Sequence, residues 1–179
     1  MITTMASRSD PSGLRFYSAT VMGLLGHPRT FFRDLPESPG MAQAAGFLTV
    51  CAIVHSIAAL VYTAPANSLV MGGTLLANAI GMVFLLTGLG YAAARVSGKG
   101  KVRFGGWFRI YALSTGVTLL VSWVPALVVY TEIWKWWLIA TGMTYGLGFR
   151  WYRALAIVGV SIVVTILLFH WLLASDIRL

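Results

Sequence analysis

Acidic residues are scarce. The chain has five among 179 residues, and only 10% of its residues carry a charge of either sign. A soluble domain is nearer a quarter charged. Water would not wet a surface of this composition, so a lipid bilayer is the expected solvent. Cysteine is scarcer still: Cys51 stands alone, which excludes an internal disulfide. The opening residues, MITTMASRSDPSG, lack the apolar core of a signal peptide. The first span is therefore expected to direct insertion itself. Long polar linkers are missing too, so no soluble domain fits between the apolar runs.

These gaps also restrict the chemistry. Ion-coupled transport usually needs an ionisable group near the midplane. The apolar runs contain no Asp or Glu except Glu132, at a boundary. Paired carboxylates and a Ser-His-Asp set are likewise missing from the runs. GKGK at 98–101 is not the GxxxxGK[ST] pattern that cradles phosphate. No catalytic residue, cofactor or metal is expected, and the chain does not read as an enzyme.

What is present is a series of long oily segments: 41–63, 69–94, 107–130, 133–149 and 154–174. Each of the clear ones is long enough to cross about 30 Å of hydrocarbon. The alternation of a β-barrel is absent, and backbone groups in lipid must be satisfied internally. The expected fold is an all-α integral membrane protein, a bundle of five transmembrane helices filling 41–174. A disordered start (1–13), an amphipathic cytoplasmic segment (14–40) and a short tail (175–179) complete it. The fourth span is short and begins beside Lys135, so a re-entrant segment is its alternative.

The net charge of +8 would suggest nucleic acid on a soluble protein. Here its placement decides otherwise, and no nucleic acid is expected. With the N-terminus inside, Arg8, Arg15, Arg29 and Arg33 fall on the cytoplasmic side. So do Arg95, Lys99, Lys101, Arg103, Arg109, Arg150 and Arg153. The outer side receives Lys135, near Glu132, and Arg178, near Asp176. The positive-inside rule then gives N-in, C-out for five spans, in a bacterial cytoplasmic membrane. Tyr91, Trp107, Phe108, Trp151 and Tyr152 at one boundary, and Tyr62, Tyr130, Trp134, Trp136, Trp137 and Trp171 at the other, read as aromatic belts. The group Arg95, Lys99, Lys101, Arg103 and Arg109 is read as an orientation signal that contacts anionic headgroups of the inner leaflet.

Between residues 14 and 35, Leu14, Tyr17, Val21, Leu24, Leu25, Phe31, Phe32 and Leu35 recur at steps suited to one helix face. Pro28 cannot lie within a continuous helix and suits a helix start. The spacing predicts two short helices, about 15–26 and 28–35. They lie flat on the inner leaflet or pack against the mouth of the bundle.

Polar groups inside the spans are few. Cys51 and His55, four apart, share one helix face. His55 and His170 reach similar depth in parallel spans, the geometry a haem or metal would need. The alternative is hydrogen bonding to a neighbouring helix. Asn78 reads as interhelical glue, and Gly81, Gly142 and Gly146 as notches for close helix approach, within the bundle or between subunits. Pro125 should kink the third span. A path lined by Asn78, Thr87 and Pro125 would serve a transporter.

Three stretches resemble a known family: HPRTFFRDLPESPGMAQAAGFL, GKGKVRFGGWFRIYALSTGVTLLVSWVP and IWKWWLIATGMTYGLGFRWYRALA. Their order and the five-span layout look like the Yip domain family, named for Ypt/Rab-interacting membrane proteins, over nearly all of residues 24–174. The resemblance implies a helical membrane domain with a cytoplasmic amino-terminus. Eukaryotic members are linked to vesicle traffic and bind Rab GTPases. This chain lacks their long cytosolic amino-terminal region and looks more like the short bacterial members. The function expected is to bind or organise other membrane components. A small-solute transporter or channel, and a haem or metal-binding subunit, are the alternatives. Expected partners are the bilayer, anionic lipids, and a membrane protein or a second copy of the chain.

Overall fold

Charge-free runs and prolines set where the helices begin and end. The computed structural model describes residues 13–35, 40–96 and 103–176, and of residues 13, 14, 169 and 172–176 only the backbone. Helix α1 is Gly13–Gly26 and α2 is Pro28–Arg33, divided at His27 with Pro28 in the first turn of α2. Then come α3 (Met41–Thr63), α4 (Ser68–Val96), α5 (Phe104–Ser122), α6 (Val128–Leu147) and α7 (Trp151–Asp176). Among the described residues there is no strand. Among the same residues four helices are long and apolar enough to cross a membrane: α3, α4, α5 and, over Trp151–Leu168, α7.

The helices that follow the second span differ from the sequence expectation. The run 107–130 does not form one kinked helix. Helix α5 stops at Ser122, and Pro125–Leu127 form a 3-10 turn. Proline has no N–H to donate and clashes with the preceding turn, so here it divides two helices. Helix α6 therefore starts at Val128, five residues before the expected 133, and takes Glu132 and Lys135 into its first two turns. It ends at Leu147, where Gly148 adopts φ 68° and the Phe149 N–H returns to the Met143 carbonyl at 3.1 Å. That left-handed position favours glycine. The last helix begins at Trp151, three residues ahead of the expected 154.

Helix α5 is the centre. Every residue from Ile110 to Thr118 is buried, as befits a helix apolar or small on all faces. Helices α3, α4, α7 and α6 follow one another around it, and α1–α2 close the side between α6 and α3. Glycines let the helices approach. A Cβ at Gly116 on α5 would lie 2.7 Å from the Phe47 ring of α3, and one at Gly90 on α4 would collide with Tyr111. Trp107 and Phe108, expected in an interfacial belt, are instead fully buried.

One end of the bundle, called here the basic end, carries the starts of α3, α5 and α7 and the ends of α4 and α6. The far end carries the α3–α4 and α5–α6 connections.

Candidate functional site

Three features are candidates: the arginine-rich basic end, the α1–α2 clasp, and a polar cleft at the far end.

At the basic end arginines recur beside tyrosines. The Arg95 guanidinium lies 5.6 Å from the Tyr91 ring centre, and Arg33 lies 5.6 Å from Tyr145. Arg150 and Arg153 flank Tyr152 at 5.8 and 5.9 Å. Such contacts are worth about 0.5–1 kcal/mol at exposed sites and hold the cation near the ring face. Arg103 is exposed just before α5, and Arg109 is half-buried in the second turn of that helix. Lys99 and Lys101 lie outside the described residues. Between α4 and α7 at this end is a groove of about 540 Å3, apolar along Ala93, Val96, Ile157 and Val160, with Arg153 on its wall.

The clasp is formed by α1 and α2. Leu24 and Phe32 are fully buried, while Met22 and Leu25 are exposed. Tyr17 stacks on Phe47 of α3 at 5.7 Å between ring centres. Phe32 seats against α6, where Gly142 and Gly146 make room. A Cβ at Gly142 would lie 2.6 Å from Ile110 and 3.1 Å from Phe32, and one at Gly146 would lie 3.3 Å from the Phe32 carbonyl oxygen. Gly81, by contrast, faces outward with nothing within 4 Å of a Cβ, and Asn78 is exposed on the same helix.

The histidines are not brought together. The Leu119 carbonyl can only accept, so His55 Nδ1 donates to it at 3.2 Å, and Ser122 Oγ stands 3.2 Å from the same nitrogen. His55 thereby ties α3 to the last turn of α5. His170 is exposed on α7, which packs on α4 and α6 and not substantially on α3. Among the described residues no cluster of three metal-ligating side chains forms. Cys51 is buried. Thr87 is buried too, donating to the Val83 carbonyl at 2.6 Å, while Pro125 is exposed in the α5–α6 connection. The two do not line one path with Asn78.

The far-end cleft was not anticipated. Asn78, Thr115, Glu132, Lys135 and Thr165 share one cavity of about 440 Å3. Its residues come from four helices, and only the long-range arrangement joins them. The sequence signal was present in the Glu132–Lys135 spacing, but a fourth span starting at 133 keeps Lys135 and leaves Glu132 outside it, whereas α6 carries both.

A family model described as the Yip1 domain matches residues 22–173. No curated protein and no solved structure matches the chain.

Proposed function

The chain belongs to the Yip1 domain family, and from that premise we propose that it is a five-span, non-enzymatic membrane protein that binds or organises other membrane components. The basic end faces the cytoplasm and engages anionic headgroups of the inner leaflet. The observation that carries this reading is the segregation of charge. Arg33, Arg95, Arg103, Arg109, Arg150 and Arg153 all belong to the basic end, whereas Lys135 at the far end is paired with Glu132 at 2.6 Å. Supporting a fifth crossing, α6 has 20 residues, about 30 Å at 1.5 Å per residue. It runs between two helices that both qualify as spans, α5 and α7, and packs on each. Its lower hydropathy reflects Glu132, Lys135 and three tryptophans in its first half, not a want of length.

In this reading the clasp rests on the inner leaflet with Met22 and Leu25 toward lipid and Arg15 and Arg29 toward headgroups. The groove beside Arg153 gives an acyl chain an apolar wall and its phosphate a cation. Each cation near an anionic surface contributes roughly 1 kcal/mol. Lys101→Gln alone should therefore leave retention of anionic lipid nearly unchanged. Neutralising Lys99, Lys101 and Arg103 together should weaken it or disturb topology. Retention measured on purified protein tests this. Loss of a retained partner complex on Lys99→Gln or Lys101→Gln alone, with lipid retention intact, would instead make the loop a specific binding site. Purification in mild detergent, followed by mass spectrometry of what is retained, identifies the partner.

A further inference from the structure

The cleft at the far end brings an ion pair and an unpartnered buried hydroxyl together. It lies among α4, α6 and α7, with α5 at its floor, and has a volume of about 440 Å3. Its lower wall is apolar, from Met82, Leu86 and Ile162. Toward the far end polar Asn78, Thr115, Glu132 and Lys135 join apolar Leu119 and Ile166.

Three of these polar groups lack what a lipid-embedded structure normally provides. The Thr115 hydroxyl is buried with no hydrogen-bond partner. The exposed Asn78 side chain finds no partner among the described residues. The Lys135 side chain is only 12% exposed, and its one anionic neighbour, Glu132, remains half open at 50%. A polar group without a partner in an apolar setting is costly. A surface ion pair at this spacing contributes little by itself. A polar guest that completes all of these groups accounts for their convergence.

Depth narrows the guest. Lys135 lies seven residues into α6, about 10 Å from the start of the helix. Trp134, Trp136 and Trp137 occupy the same turns, with the Lys135 ammonium 5.3 Å from the Trp136 ring centre. Tryptophans mark the layer where headgroups meet hydrocarbon, and the Lys135 stem carries its ammonium up toward that layer to Glu132, one turn nearer the helix start, so a headgroup is met there and chains belong along the apolar wall below. Charge narrows it further. Lys135 favours a phosphate and Glu132 an ammonium with N–H to donate. A purely anionic headgroup would set its phosphate against Glu132. A trimethylated ammonium would have no proton to offer.

We propose that this cleft binds an aminophospholipid, with its phosphate on Lys135 and its primary ammonium on Glu132. Asn78 and Thr115 donate to the ester and phosphate oxygens, and the chains lie along α4 and α7. The site is independent of the anionic-lipid contact at the basic end.

The test uses the intact protein in nanodiscs containing equal parts phosphatidylethanolamine, phosphatidylcholine and phosphatidylglycerol, with retained lipid read by native mass spectrometry. Phosphatidylethanolamine should be enriched roughly tenfold over the other two, about 1.4 kcal/mol. Glu132→Gln should reduce that preference to the level of phosphatidylcholine, and Lys135→Gln should lower both. Asn78→Ala, at an exposed position where folding is not at stake, should lower phosphatidylethanolamine retention severalfold with an unchanged melting temperature. Equal retention of the three lipids by the unaltered protein overturns the proposal. So does a preference that survives both Glu132→Gln and Asn78→Ala. Displacement by soluble glycerophosphoethanolamine would assign the cleft to a solute, and a lipid-free dimer that Glu132→Gln dissociates would assign it to a second copy. Either result overturns the lipid.

Discussion

Gly142 and Gly81 look alike in sequence, since both are small residues in an apolar run, and the fold separates them. Gly142 faces Ile110 and Phe32, while Gly81 faces outward. Gly142→Val should destabilise the protein by about 1–3 kcal/mol, the usual range for overpacking. Gly81→Ala should change stability by less than about 0.5 kcal/mol. Thermal unfolding in detergent measures both, and equal effects would contradict the packing described. His55 was legible as a polar residue on an apolar face. Its partners, the Leu119 carbonyl and Ser122, are more than sixty residues away and no local pattern encodes them. His55→Ala should cost about 1 kcal/mol, as interhelical hydrogen bonds in membranes typically do. It should leave absorbance and metal content unaltered. A haem band lost in both His55→Ala and His170→Ala would replace this account with a redox one.

Among the elements, α3 was legible to the residue and α4 within two residues, because a charge-free run admits only one kind of end. The α5–α6 boundary was not. Pro125 permits either a kink or a break, and only packing around α5 decides for a break. The same choice gave Val128–Tyr130 to the third span and left Thr131 and Glu132 between two spans, although all of them open α6. The break between α1 and α2 was readable from Pro28, but the seat of Phe32 on α6 was not, because its partners lie over a hundred residues on. Phe32→Ala should destabilise the clasp by about 3 kcal/mol, a typical value for removing a buried ring. It should also open α2 itself to protease. An unchanged cleavage rate would mean the clasp does not depend on that contact.

At the scale of the molecule, gathering of most cations at one end was visible in the sequence once the runs were counted, because alternating connections sort the cations without any tertiary knowledge. The cleft at the opposite end was invisible to that reasoning, because four helices contribute to it. The central claim is that α6 crosses, so that α3 to α7 make five passes with the basic end inside. Parity decides it. If α6 returned without crossing, the chain would make four passes, Arg150 and Arg153 would lie outside, and both ends of the protein would share the cytoplasm. The direct measurement is a reporter active only in the cytoplasm, fused in turn before residue 13 and after Leu179. The account predicts activity at the first position and none at the second. Strong activity after Leu179 would contradict it.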